Sequence, residues 1–284
     1  MGVVHLKALD FDSVEVVNRD RLLHSTRLDA LLKRAKVKVL GRALRKSATA
    51  TSFKVDELEW SIIEEEGYRE ALDCDVLFCC VDRPWPRNIL NFIAYAHLIP
   101  VVDGGIYLKA KPGGKGLRDA DWRAHVAAPE RRCLECLGQY RSGDVALERD
   151  GYLDDPTYID GLEDGHPLKR NENVFAFSMS AAAFEVLQFL AMVVVPGGFG
   201  NPGAQMYHFK TATLDHEKED RCNEGCFFTS IIAKGECTGV KVTALHPRAE
   251  QWREARRAMQ KRWRYCVVDW LERYTDWILG WFVL

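Results

Sequence analysis

Hydrophobic and polar positions along this chain alternate in blocks that predict strand, helix, strand, helix, strand. His5-Leu6-Lys7-Ala8-Leu9-Asp10-Phe11-Asp12 runs apolar-rich into two acids, with Ser13-Val14-Glu15-Val16-Val17 behind it, and predicts a strand ending at a polar edge. From about Arg27 to Leu44, Leu28, Leu31, Leu32, Ala35, Val39 and Leu40 fall at helical spacing with Lys and Arg opposite, which predicts one amphipathic surface helix. Between Asp75 and Asp82 a continuous apolar run stops at an acid, the pattern of a parallel strand buried on both faces, and Cys79 and Cys80 read as core thiols. Pro84 and Pro86 suit a helix's first turn, so Arg87 to His97 is the next helix. Ile99 to Gly105 is the following strand, closed by its glycines.

This order is that of a doubly wound parallel sheet, in which ligands bind at the strands' carboxyl ends. Asp10, Asp82 and Asp103 all stand at predicted carboxyl ends, so neighbouring strands would bring them to one rim. The glycines between Ala110 and Leu117 read as a turn rather than a phosphate cradle, and Asp150 to Asn173 as a long functional loop. Ser178 to Val195 predicts a nearly buried helix, and Gln205 to Leu214 resumes a strand-like pattern.

Composition narrows the function classes. With 39 basic against 41 acidic side chains there is no global attraction to nucleic acid. The start of the chain has no export pattern, and no uninterrupted apolar run reaches the roughly 18 residues of a membrane span, so the expectation is a cytoplasmic protein. Of nine cysteines, Cys133, Cys136, Cys222 and Cys226 form two short-spaced pairs. Four thiolates suit a tetrahedral structural Zn2+ acting as a long-range clasp, with no open position for catalysis; two unrelated thiol pairs are the alternative. The tail is strongly basic from Arg248 to Arg264, and Trp263, Trp270 and Trp277 recur at seven-residue spacing. That spacing predicts an amphipathic helix whose aromatic stripe is covered by the core or a dimer partner; contact with a membrane surface is less favoured, because Asp269, Glu272 and Asp276 would repel anionic lipid.

In order along the chain, LDFDSVEVVNRDR, the lysine of RAKVKVL, CDVLFCCVDRPWPRNILN, VVDGG and the paired cysteines resemble the ThiF/MoeB/HesA superfamily, bacterial relatives of ubiquitin-activating enzymes, from about Leu6 to Gly235. The resemblance implies an ATP-dependent and Mg2+-dependent adenylyltransferase acting on the C-terminal carboxylate of a ubiquitin-like or sulfur-carrier protein, working as a homodimer. It implies that Asp10, with Asp12 nearby, holds the ATP ribose, that Asn18 and Arg21 stand beside the phosphates, and that Lys36 neutralises the triphosphate. Asp82 would hold the magnesium, with Arg87 in support. The implied organisation is a partial Rossmann-like α/β region over residues 1–128, a zinc-clasped remainder with a crossover loop over 129–240, and a helical tail over 241–284.

Three departures qualify these expectations. Only nine residues precede Asp10, leaving no room for the glycine-rich strand-turn-helix that wraps phosphates in such proteins. The expectation is therefore an N-terminally truncated adenylyltransferase, or a non-catalytic module that binds a ubiquitin-like protein. Arg83 and Leu22 replace the family's asparagine and glutamine, and no cysteine lies between Leu137 and Arg221, which disfavours a thioester on the crossover loop. A nicotinamide-dependent enzyme would account for Asp10 but for neither Lys36 nor the cysteine pairs.

Overall fold

The computed structural model describes residues 3–111, 117–154, 175–194, 202–217, 221–237, 243–263, 265–268, 270–271 and 274. The expected turn at 112–116, most of the long loop, the end of the apolar helix beyond 194, and Trp277 and Trp281 lie outside these residues. The chain divides in space into two units, one of residues 1–68 with 243–284, the other of 69–242. The boundary falls inside the region 1–128 read above as a single piece, and the tail belongs to the first unit.

In the first unit, β1 (His5–Leu9) and β2 (Lys54–Leu58) pair in parallel, His5 opposite Lys54 and Leu9 opposite Leu58. Between them run α1 (Arg27–Leu31) and α2 (Lys36–Ser47). Ala35 and Val37 pack on Ala8 of β1, while Val39 closes on Val14 and Ala30. The single helix predicted from Arg27 to Leu44 is thus two. Val14 N donates to Arg34 O and Lys36 N to Asp12 O, so residues 34–36 pair with residues 12–14 as extended chain. Lys33, at φ 47°, makes the corner. A helix could not satisfy these bonds, and the pairing partner is too distant in sequence for periodicity to reveal it.

The tail returns as α8 (Pro247–Gln260), numbered last among the helices. The residues it buries are Ala249, Arg253 and Arg256, whereas Trp263 is 70% and Trp270 61% exposed. The predicted aromatic stripe is therefore not covered by the chain's own core at these two positions.

The second unit holds a five-stranded mixed sheet: β3 (Leu77–Cys79), β4 (Val101–Ala110), β5 (Leu117–Ala127), β6 (Ala204–His208) and β7 (Thr213–Glu217), side by side in that order. Only β3 and β4 are parallel; the others are antiparallel. An α/β chain with parallel strands is as expected, but among the described residues the strands form two separate sheets instead of one doubly wound sheet. Gly104 and Gly105, expected to end the strand, sit inside β4. A Cβ at 104 would collide with the Glu185 carboxylate, and at 105 it would lie 3.0 Å from the Arg123 guanidinium. These glycines admit side chains from neighbouring elements.

The predicted helix after the prolines is present as α4 (Pro84–Ala96), which starts at Pro84, ahead of the predicted Arg87, because both prolines belong to its first turn; α3 (Glu65–Leu72) and α5 (Ser142–Arg149) are short connecting helices. Across β4 and β5 lies α6 (Phe175–Val193), whose Phe177 and Ala181 pack with Trp122, Leu108 and Ala120, Trp122 stacking between Phe177 and Tyr207. α6 was expected to be nearly buried. Only Phe177, Ala181, Glu185 and Gln188 are, because one sheet covers one face; Met179, Val186, Leu187 and Val193 are exposed. By length and mean hydropathy of 1.6 it could also cross a membrane. The last helix of this unit is the single turn α7 (Phe227–Ser230).

Candidate functional site

In the first unit the site grows from the end of β1. Asp10 directly follows the strand, and its Oδ1 accepts a hydrogen bond from Asp12 N at 2.7 Å, a local turn that folds the second acid back beside the first. Lys36 is the first residue of α2; its Nζ donates to Asp12 Oδ2 at 2.7 Å and lies 4.0 Å from Asp10 Oδ2. Three residues singled out from the sequence thus meet at the carboxyl end of β1, all partly open to solvent.

Asn18 closes a 3₁₀ turn, Val16–Asn18, and Arg21 stands on the exposed turn after it, 3.6 Å from Asp20. Asp29 anchors the far end of that segment. Wholly buried, it accepts bonds from Thr26 N and Oγ1 and from Arg42 Nη2 at 2.7 Å, and pairs with Arg34 at 3.4 Å. Burial would push its carboxyl up, but the bonds from Arg42 and Thr26 outweigh that and hold it below the usual range. Arg42 Nη2 also reaches His24 O at 3.4 Å, fixing the loop that carries Arg21.

In the second unit, Asp82 is an exposed carboxylate between β3 and α4. Arg87 Nη2 donates to Val81 O at 2.8 Å, and its Nε donates to Asp103 Oδ1 at 2.9 Å, so Arg87 fixes the backbone beside Asp82. Asp103 is fully buried inside β4 and also accepts from Arg123 Nη1 of β5 at 2.8 Å. It does not stand on an open rim, as its predicted place at a strand end implied. Burial opposes its charge, yet the two guanidiniums hold its carboxyl below the normal range. Glu185 of α6 faces the same group, and among the described residues nothing donates a hydrogen bond to it. Burial first, and the Asp103 charge second, push its carboxyl up to about 7. Asp103, Arg123 and Glu185 form a buried charged group that sequence reasoning did not assemble. One signal was present: Glu185 is the single charged side chain between Ser178 and Val195. Of the two thiols expected in the core, Cys79 is buried and Cys80 exposed.

The two cysteine pairs do meet. The Sγ atoms of Cys133, Cys136, Cys222 and Cys226 all lie within 4.8 Å of one another and could hold a metal ion, with Cys133 and Cys226 3.7 Å apart. Tetrahedral zinc with Zn–S near 2.3 Å requires sulfurs about 3.8 Å apart, so the donor set fits. Positive φ at Gly225 turns the chain within the second pair. Backbone N–H groups already point at the sulfurs: Cys133 N to Cys222 Sγ at 3.2 Å, Cys136 N to Cys133 Sγ at 3.3 Å and Asn223 N to Cys136 Sγ at 3.4 Å. Bonds from the Cys133 thiol and backbone pull the Cys222 thiol down to about 5 against its burial. Asn91 of α4 accepts from Leu134 N and donates to Tyr140 Oη, joining the first pair to the helix.

Comparison with known proteins gives a family match and a likeness of fold. The model of the ThiF family matches residues 1–220. Among solved structures, E. coli MccB with ATP is 14% identical at a TM-score of 0.55, over 80% of this chain and 59% of that one. The microcin C7 biosynthetic enzyme MccB in complex with N-formylated MccA is 13% identical at 0.56, over 80% and 60%. E. coli MccB by itself is 13% identical at 0.56, over 86% and 62%. The chain spans about three fifths of the length of these structures. No curated protein matches.

Proposed function

The chain belongs to the ThiF family, and from that premise we propose that it adenylates the C-terminal carboxylate of a small ubiquitin-like or sulfur-carrier protein, or of a peptide, at the expense of ATP. The observation that carries this reading is the meeting of Asp10, Asp12 and Lys36 at the carboxyl end of a parallel strand, where nucleotides bind in open α/β folds. A carboxylate oxygen attacks the α-phosphorus while the bond to the bridging oxygen of pyrophosphate breaks, giving an acyl adenylate and pyrophosphate. Two anions must approach, and oriented cations offset their repulsion. Lys36 supplies one such cation by exchanging Asp12 for phosphate oxygen; Arg21 supplies another. Asp10 accepts from the ribose hydroxyls. Asn18 stands beside the phosphates. Asp82 would hold Mg2+ as an oxygen ligand, the metal would supply neutralisation of phosphate charge, and Arg87 keeps the Asp82 loop in place. Zn2+ in the cysteine cluster has a structural role, because four thiolates leave no position for substrate.

Crystals of MccB with ATP and with MccA support a nucleotide and a peptide or carrier as substrates of this fold. The test is carrier-dependent exchange of labelled pyrophosphate into ATP, run with ubiquitin-fold proteins and peptides ending in a free carboxylate. Exchange that Asp82→Ala lowers by at least about a hundredfold supports the reading; a magnesium-phosphate contact worth two factors of ten is about 2.7 kcal/mol of barrier. Carrier binding indifferent to ATP, with no exchange, would replace it with a non-catalytic binding module.

A further inference from the structure

Helix α8 lies beyond residues 1–220, the part matched by the family, yet its buried face meets the two loops at the carboxyl ends of β1 and β2. Arg256 is 4% exposed. Its Nη1 donates to Phe11 O at 2.9 Å and to Ser13 Oγ at 2.7 Å, which brackets Asp12 on both sides. Its Nε donates to Glu59 Oε2 at 2.8 Å, one residue past β2. Arg253 repeats the motif one turn earlier. Its guanidinium pairs with Glu64 through Nη1 at 3.0 Å and Nη2 at 2.7 Å, reaches Glu59 O at 3.2 Å, and stacks on Trp60 at 4.6 Å. At the start of the helix, the His246 ring lies 4.5 Å from that of Phe11.

A guanidinium this buried is costly even when most of its donors are paired, as here, where among the described residues only Nε of Arg253 and Nη2 of Arg256 in these two side chains make no hydrogen bond, and the latter lies 2.7 Å from Glu59 Oε2. An exposed basic face would carry the tail's charge at no such cost. The arginines therefore hold something in place. What Arg256 holds is the stretch Phe11–Ser13, whose middle residue carries the carboxylate that engages Lys36, while Arg253 fixes the Glu59–Glu64 segment behind it. We propose that Arg256, with Arg253 beside it, is a positioning residue of the nucleotide site: α8 clamps the Asp10–Ser13 turn in the conformation that presents Asp10 and Lys36 to ATP. Holding the turn before ATP arrives removes an ordering cost from binding and leaves the chemical step unchanged. The inference rests on the adenylation reading and adds to it a part of the site built outside the family core.

The experiment compares wild type, Arg256→Ala, Arg256→Lys, Ser13→Ala and Arg257→Ala in the full chain. Arg257, on the same helix, is 62% exposed and serves as the charge-matched control. In carrier-dependent exchange, Arg256→Ala raises the KM for ATP at least tenfold with kcat within about twofold, Arg256→Lys and Ser13→Ala fall between it and wild type, and Arg257→Ala matches wild type. Ser13→Ala removes only one of the clamp's bonds and keeps the test alive if Arg256→Ala fails to fold. Hydrogen exchange without nucleotide reads the clamp directly: the amides of Asp12 and Val14, which bond Asp10 Oδ1 and Arg34 O, exchange faster in Arg256→Ala and Ser13→Ala and unchanged in Arg257→Ala. The two failures are distinct. If wild type shows no ATP-dependent activity and binds no ATP, the adenylation reading falls and takes this inference with it. If wild type saturates with ATP while folded Arg256→Ala and Ser13→Ala keep its KM, or the amides are protected as before, the clamp alone is overturned.

Discussion

Glu185 is held among Arg87, Asp103 and Arg123, and its carboxyl, pushed up to about 7 from an ordinary 4.5, binds a proton more tightly in the folded chain than in the unfolded one. Stability from this group is therefore full below pH 4.5 and lost as pH rises to 7, an effect of up to about 3 kcal/mol. Glu185→Gln keeps the shape without the ionisation, so urea unfolding should find it more stable than wild type at pH 8, with the difference fading towards pH 4.5. Parallel pH profiles would show that the group ionises freely. Asp103 behaves in the opposite sense, its carboxylate fixed by two guanidiniums. Asp103→Asn leaves both arginines short of a charge partner and should cost about 3 kcal/mol or more in the same measurement. At this scale the sequence told part of the story. Asp10 and Asp12 were legible because the acids sit at a predicted strand end, whereas Lys36 was reached only through the resemblance, since periodicity placed it inside one continuous helix. Asp103 with Arg123 was not legible, because their pairing depends on a register between β4 and β5 that only the folded hairpin defines.

At the scale of elements, local rules served where local bonds decide. Two prolines signalled α4, though its start was read at Arg87 and lies at Pro84, and paired cysteines identified the cluster. Local rules missed the break between α1 and α2, which a bridge from Ser13 to Ala35 imposes, and they assigned the tail's burial to its tryptophans. The buried residues there are arginines whose partners, Glu59 and Glu64, lie far away in sequence. The cysteine cluster and α4 form one mechanical piece through Asn91, which joins Leu134 to Tyr140. We expect one zinc per chain by elemental analysis. Its removal by a chelator should lower the melting temperature and release the Leu134 amide to hydrogen exchange. Asn91→Ala, leaving a buried amide and a phenol unpaired, should cost about 1–3 kcal/mol without loss of metal. A chain that purifies free of metal, with four rapidly alkylated thiols, would contradict the zinc assignment.

For the whole molecule, the division into two units implies that the tail stabilises the first. Deleting residues 243–284 leaves Glu64, only 4% exposed, without Arg253, and an unpaired buried charge costs about 3–5 kcal/mol. Hydrogen exchange in the truncated chain should show β1, β2 and α2 opening while β4 and β5 stay protected; equal protection everywhere would mean that the tail is energetically idle. The claim on which the functional account turns is that ATP binds where Asp10, Asp12 and Lys36 meet. Calorimetric titration of the full chain with ATP and magnesium tests it most directly. We predict saturable binding by wild type and at least a tenfold weaker affinity for Lys36→Ala, about 1.4 kcal/mol. Equal affinity in the two proteins, or none in wild type, would contradict it.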